Sequence, residues 1–224
     1  MPFESPLPQI IIGALCIVVI VLCFLNFTAT KTRPLAPKFK TPREVKKYMQ
    51  EGNQLYLDAK KNVAPVAVDR RKDTTDNGQH PYAVVITCSD SRVPPEHIFS
   101  AGIGDLFVIR TAGNVIGDFE LGSIEYAVLH LHCKLVLVLG HEGCGAVGAA
   151  LGGYAEGCIQ SIINEVNRGI GSTRSARDAE ILNVRHGIDR IYSSAVMHEL
   201  FQSGEVAVEG AIYHISDGKV SFSV

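Results

Sequence analysis

Three side chains with sulfur or nitrogen donors stand where this sequence could bind a metal ion. Cys88 directly follows an apolar run at 82–87, and His141 and Cys144 follow a second run at 135–139. If these runs are neighbouring parallel strands, their carboxyl ends meet at one edge of a sheet, where open α/β proteins bind ligands. Two thiolates and an imidazole can form a catalytic zinc set with a fourth position open, and soft sulfur favours zinc over magnesium or calcium.

Charged groups follow the first of these ligands. Asp90 and Arg92 stand two residues apart, so their side chains can point the same way and form a carboxylate–guanidinium pair. An ordinary structural salt bridge would have the same spacing. The functional interpretation is a switch: Asp90 either closes the site as the fourth metal ligand or is held by Arg92, which leaves that position to water.

The other four cysteines show no disulfide framework of the kind found in small secreted domains. Cys16 and Cys23 lie in an apolar N-terminal run. Cys133 and Cys158 are expected to be core thiols rather than ligands, because an isolated cysteine in a helical setting usually packs as a small apolar residue.

The elements that position these residues alternate between strands and helices. Apolar runs rich in β-branched residues occur at 82–87, 106–109 and 135–139, and their continuity is typical of strands covered on both faces. Two late strands, 206–215 and 219–222, are joined at a hairpin turn. The predicted helices are 42–60, 119–131, 158–168 and 178–200, and 69–80 is predicted to be a charged loop. The pattern predicts an α/β fold with a central, mostly parallel β-sheet flanked by helices.

The N-terminus has a different character. Residues 10–27 are uncharged and nearly all apolar, close to the shortest run that spans a membrane as a helix. No Lys or Arg precedes the run, which is atypical of a signal peptide, and basic residues follow it. We therefore expect a retained N-terminal hydrophobic helix as membrane anchor, with the domain facing the cytoplasm by the positive-inside rule. Export after signal cleavage is the alternative. The predicted organisation is an anchor or signal segment at 1–30, a Pro-rich linker at 31–41 and one domain at 42–224.

The bulk composition limits the partners of the domain. The chain has 224 residues and a formal net charge of −2, which argues against a nucleic-acid partner. Its length is enough for one domain with a substantial core.

Four stretches, in this order, resemble the β-class carbonic anhydrases. They are CSDSRVPPE at 88–96, GDLFVIRTAGN at 104–114, GSIEYAV at 122–128 and LGHEGCGAV at 139–147. The resemblance extends over 42–224. It implies that Cys88, His141 and Cys144 bind one Zn²⁺ per subunit, with Asp90 as a fourth ligand in closed forms and Asp90 and Arg92 as the catalytic dyad. The resemblance implies that zinc would lower the pKa of a water so that it releases a proton, and that the hydroxide would add to carbon dioxide to give bicarbonate.

The resemblance also implies a substrate pocket. Gln79 would donate a hydrogen bond to bicarbonate, and the backbone amide of Gly145 would help to hold it. Phe107 and Tyr126 would form the pocket wall, supplied by a neighbouring subunit of a homodimer or a dimer-based tetramer.

One departure from the family bears on regulation. A second subgroup binds bicarbonate at a regulatory site made of Trp, Arg and Tyr. Arg110 and Tyr213 occupy the Arg and Tyr positions, but Val85 occupies the Trp position. This substitution favours the plant-like subgroup, whose site is open.

Three other functions are compatible with the same motifs. A related enzyme could hydrolyse carbonyl sulfide or carbon disulfide, although Gln79, Phe107 and Tyr126 argue against this. A structural zinc domain could bind a partner without catalysis. A membrane-bound accessory could supply bicarbonate to a carrier.

Overall fold

The computed structural model describes residues 33–58, 64, 66 and 68–224 of the chain. The predicted anchor or signal segment, including the apolar run at 10–27, lies outside these residues. Within the described part, no helix combines the length and the apolar character needed to cross a membrane.

Five strands and eight α-helices make up the described residues. The strands are β1 (Ala83–Cys88), β2 (Leu106–Thr111), β3 (Leu135–His141), β4 (Ala207–Tyr213) and β5 (Val220–Phe222). The helices are α1 (Pro42–Asp58), α2 (Val68–Asn77), α3 (Pro95–Ile98), α4 (Asp118–Leu131), α5 (Gly145–Gly152), α6 (Ile159–Ile170), α7 (Ala176–Tyr192) and α8 (Ala195–Gln202), with a 3₁₀ turn at Ala112–Asn114.

The strands form one sheet in the order β2-β1-β3-β4-β5. The first four strands are parallel, and β5 pairs antiparallel with β4. Every residue of β1 and β3 is buried, as the continuous apolar runs indicate. The predicted α/β fold with a mostly parallel sheet is therefore confirmed.

Each face of the sheet carries its own core because successive strand residues point to opposite sides. Val84 and Ile86 of β1 pack with residues of α4, α7 and α8. Val85 of β1 and Leu137 of β3 pack with residues of α1 and α3. The strands β1 and β3 are thus packed between two apolar layers. This packing fixes the positions of the strand ends and of the residues that follow them.

Two predicted elements were wrong in the described part of the chain. The predicted charged loop at 69–80 is helical over Val68–Asn77 and buries none of its residues. Its helix has no apolar stripe to detect and is stabilised by pairs four residues apart, such as Lys72 with Asp76. The single predicted helix at 178–200 is two helices, because the chain turns before Ser194, whose hydroxyl caps α8 by accepting from the Met197 amide.

Residues 33–41, part of the predicted linker, have no helix or strand but pack on the domain. Arg33 is buried, and its guanidinium donates to the carbonyls of Phe99 (2.7 Å) and Tyr48 (2.6 Å). It also lies 3.5 Å from the centroid of the Tyr48 ring. The compact unit accordingly begins at Arg33.

Replacing Arg33 with Ala should destabilise this unit. The change removes the side-chain donor to the buried carbonyl of Phe99 and a second donor to the partly buried carbonyl of Tyr48, which costs about 1–3 kcal/mol in the free energy of unfolding. Urea denaturation followed by circular dichroism measures the loss. The control is Lys38→Ala, which alters an exposed side chain and should leave stability nearly unchanged. Equal stability of the two variants would contradict the role assigned to Arg33.

Candidate metal centre

The structure brings together the three predicted donors. Cys88 ends β1 and His141 ends β3, and these strands are neighbours in the sheet. Cys144 follows a two-residue turn after β3 and is the N-cap of α5. One ligand atom of each side chain lies within 4.8 Å of the other two, and all three residues are buried. Two separate segments of the sequence therefore form one compact set of S, N and S donors.

The orientation of His141 tests whether this set fits a metal ion. Its Nδ1 lies 2.9 Å from the carbonyl oxygen of Glu142, so a proton on Nδ1 donates to that oxygen and leaves the Nε2 lone pair free. Nε2 is buried and has no hydrogen-bond partner within the described residues. A buried polar atom without a partner is costly, and a cation between Nε2 and the two sulfurs would remove that cost. The residues present therefore fit a zinc ion.

The two thiols make the site receptive to a cation. The pKa of Cys88 is lowered, chiefly because its thiolate accepts a hydrogen bond from Cys144. His141 adds to this lowering, and burial opposes it. The amide of Gly113 also donates to the Cys88 sulfur, at 3.3 Å. The same hydrogen bond to Cys88, together with burial, raises the pKa of Cys144. The contact between the two sulfurs thus favours the thiolate form of Cys88, and the thiolate is the form that binds metals.

The Asp90 carboxylate is paired with Arg92 and is not among the clustered donor atoms. Arg92 binds its carboxylate with two parallel bonds, Nε to Oδ1 at 3.0 Å and Nη2 to Oδ2 at 2.7 Å. This pairing holds the pKa of Asp90 well below its ordinary value. Arg110 donates to the carbonyl oxygens of Cys88 and Asp90 and so supports the same turn. The carboxylate is not part of the donor group formed by Cys88, His141 and Cys144.

The predicted pocket residues lie in three places, and only that of Gly145 adjoins the donor group. Phe107 pairs with Val84, four residues before Cys88, which is roughly 13 Å along the strand. Tyr126 on α4 is half-exposed, and its ring centroid lies 6.3 Å from that of Phe107. Gln79 is exposed in the loop before β1, whereas Gly145 is the first residue of α5, directly after Cys144.

The remaining described cysteines divide into one core thiol and one exposed thiol. Cys133 is buried, and burial raises its pKa to about 12, as expected for an inert core residue. Cys158 is exposed, so its assignment to the core was wrong. It is the N-cap of α6 and lies outside the buried stripe of that helix, which contains Ile163, Val166 and Ile170.

Two residues that contact the segments around Cys88 and Cys144 have no counterpart in the sequence motifs. Glu180 Oε1 accepts a hydrogen bond from the Gly143 amide at 2.7 Å and a longer one from the Cys144 amide at 3.4 Å. Asn183 donates to the carbonyl oxygen of Gly113 at 2.8 Å. Both are buried polar residues on α7. Their partners are 36 to 70 residues away, so no local spacing indicates them.

Comparison with known proteins decides the family. The carbonic anhydrase family model matches residues 83–220. "Carbonic anhydrase 2" of Mycobacterium tuberculosis (strain CDC 1551 / Oshkosh) is 38% identical over 184 residues, covering 77% of this chain and 88% of the relative. The chain belongs to the β-carbonic anhydrases. It is an enzyme that hydrates carbon dioxide.

Other β-carbonic anhydrases agree in sequence and fold. The carbonic anhydrase of Mycolicibacterium smegmatis (strain ATCC 700084 / mc(2)155) is 38% identical, covering 78% of this chain and 89% of the relative. The solved β-carbonic anhydrase CcaA matches with a TM-score of 0.62 at 28% identity, covering 70% of this chain and 82% of that one. CafA of Aspergillus fumigatus matches with a TM-score of 0.59 at 31% identity, covering 68% and 84%.

Proposed function

We propose that Cys88, His141 and Cys144 bind one zinc ion per chain and that carbon dioxide is hydrated at this centre. The unpartnered, buried Nε2 of His141 beside two sulfur atoms is the observation that carries the proposal. When bound, zinc supplies a Lewis acid that lowers the pKa of water from 15.7 to about 7 in a three-histidine site. Two thiolates cancel more of the metal charge, so a smaller decrease is expected here.

The side chains around this centre have separate roles in the proposal. Arg92 keeps the Asp90 carboxylate away from the donor group, so that the fourth position is available for water. The ionised Asp90 carboxylate could then accept a hydrogen bond from a water molecule at that position. The amide of Gly145 is at the first turn of α5, where helix amides have no partner within the helix, and it can donate to a substrate oxygen.

The substrate pocket is proposed to need a second copy of the chain. Phe107 and Tyr126 contact each other but lie far along the sheet from Cys88 in their own chain. On α4, Phe119 is 90% exposed, and Tyr126 and Leu129 are about half-exposed, as expected for an interface. A related structure describes two tetrameric β-carbonic anhydrases from Sordaria macrospora, at 26% identity and a TM-score of 0.59. We therefore propose a homodimer or a dimer-based tetramer, with Gln79 completing the pocket as donor to bicarbonate.

The site is proposed to belong to the plant-like, open subgroup. Val85 is fully buried in the core at the position where a regulatory bicarbonate site would need a Trp. Arg110 is bonded to backbone carbonyls, and the Tyr213 hydroxyl lies 3.1 Å from that of Tyr56. These contacts occupy the groups that a regulatory anion would require.

The proposal for the location of the enzyme rests on the N-terminal sequence alone. We propose that residues 10–27 anchor the chain in a membrane, with the domain on the cytoplasmic side, and that export after cleavage is the alternative. Fractionation of cells that express the whole chain distinguishes the two: an anchored enzyme stays in the membrane fraction, and an exported one does not. A chain that starts at Lys31 is the control without the apolar run.

Hydration of carbon dioxide and zinc content should be lost together in a Cys144→Ser variant. Serine removes a thiolate ligand but keeps a similar volume, so the fold should persist while the metal affinity falls. Stopped-flow hydration assays and zinc quantitation measure both, with Cys158→Ser as the control for an exposed thiol. The wild-type rate should rise toward alkaline pH. Zinc-loaded protein without hydration activity would favour a structural zinc domain, and faster turnover of carbonyl sulfide would favour the related hydrolase.

Replacing Arg92 with Ala should reduce hydration while zinc stays bound. The freed Asp90 carboxylate can turn to the metal and close the site, a misplacement that costs roughly 100-fold in rate. Because Arg92 holds the pKa of Asp90 below its ordinary value, the wild-type pair persists at neutral pH and is lost only as the pH falls into the acid range. The control is Arg92→Lys, which keeps the charge but not the two-bond geometry. Full activity of Arg92→Ala, or a wild-type crystal structure near neutral pH with Asp90 on zinc, would refute the open site.

Replacing Phe119 with Asp should weaken self-association. A charge within an apolar interface is costly to bury, so the variant should sediment as a smaller species than the wild type. The matched control is Phe201→Asp, which alters a partly exposed Phe on α8. A monomeric wild-type protein with full activity would contradict the shared pocket.

A further inference from the structure

We infer that helix α7 is the positioning element for both cysteine ligands, with Glu180 acting on Cys144 and Asn183 acting on Cys88. The inference rests on the proposed zinc centre and adds two residues to it. The two side chains are three residues apart and therefore lie on the same face of the helix. Both are buried, with exposed fractions of 7% and 4%.

Glu180 fixes the turn that presents Cys144. Its Oε1 accepts from the Gly143 amide at 2.7 Å and lies 3.4 Å from the Cys144 amide. Gly143 has a φ of +65°, and the turn follows the end of β3, where the strand ladder no longer determines the backbone path. Within the described residues, no Lys, Arg or His forms an ion pair with Glu180. Its carboxylate oxygen instead accepts from the backbone amides of the turn that leads into α5.

Asn183 fixes the backbone that reaches Cys88. Its Nδ2 donates to the Gly113 carbonyl oxygen at 2.8 Å, and the Gly113 amide donates to the Cys88 sulfur at 3.3 Å. Gly113 has a φ of +70°, and a Cβ at this residue would lie 2.9 Å from that of Ala146. Its position is thus closely constrained, and Asn183 supplies the side-chain hydrogen bond that holds it.

The approach of α7 to the sheet makes both contacts possible. A Cβ added to Gly140 of β3 would lie 2.6 Å from Val184, the residue after Asn183. A Cβ added to Gly187, one turn later, would lie 3.2 Å from Val138. Glycines on both elements therefore let the helix lie close to β3, with its buried polar residues toward the metal-binding segments.

Loss of these contacts should affect the metal more than the fold. Partners behind metal ligands typically contribute 10–100-fold to metal affinity. We expect Glu180→Ala and Asn183→Ala each to weaken zinc binding within this range. Glu180→Gln keeps an acceptor for the Gly143 amide but loses its charge, so its loss should be smaller than that of Glu180→Ala.

The experiment uses the full-length protein. Zinc affinity is measured by competition with a chromophoric chelator, and the visible spectrum of the cobalt(II)-substituted protein reports the thiolate geometry. The matched control is Glu165→Gln on α6. Glu165 Oε1 lies 2.8 Å from Nε2 of His186 on α7, so this change also alters a carboxylate that contacts α7. This control should keep the zinc affinity and cobalt spectrum of the wild type, whereas the Glu180 and Asn183 variants should change both.

Three outcomes separate the claims. Wild-type zinc affinity in both Glu180→Ala and Asn183→Ala would overturn the role of α7. If Glu180→Ala fails to fold, wild-type affinity and an unchanged cobalt spectrum in both Glu180→Gln and Asn183→Ala would overturn it. An equal loss in Glu165→Gln would overturn it as well, because the effect would then be general to the helix packing. A wild-type protein that binds no zinc would instead refute the proposed function on which the inference rests.

Discussion

The arrangement of the site depends on the parallel pairing of β1 and β3, whose carboxyl ends bring two sulfur atoms and an imidazole together. Hydrogen bonds between β1 and β3 bring Cys88 and His141 to the same edge, and the turn after β3 returns Cys144 to them. Such a group of buried donors is unfavourable unless a cation or a proton lies among them. The two apolar cores on either face of the sheet hold the strands in register against this cost. Stability of the sheet and chemistry at its edge are therefore coupled.

The sequence was informative wherever a local pattern determines the structure. Continuous apolar runs predicted β1 and β3, and donors placed directly after them predicted which residues meet. The pairing of Asp90 with Arg92 depends on a separation of only two residues, so it too could be anticipated.

The sequence was uninformative where contacts span long separations or apolar patterning is absent. Helix α2 has no buried face to detect, because all its residues are polar except the first. Arg33 contacts a carbonyl 66 residues away, and Asn183 contacts one 70 residues away. The exposure of Cys158 depends on the exact start of α6 relative to its apolar stripe, and helix boundaries are poorly determined by sequence. These features follow from packing and could not be predicted from periodicity.

Gly140 shows how a residue without a side chain can control the chemistry beside it. It stands between the last apolar residue of β3 and His141, and its lack of a Cβ sets the gap between strand and helix. Protein interiors are packed too tightly to absorb an extra methyl group here without displacement of the neighbouring backbone. Since α7 contacts the backbone around both sulfurs, that displacement would be transmitted to both cysteine side chains at once. Any substitution that adds a Cβ at Gly140, the residue before His141, is thus expected to disturb the donor group.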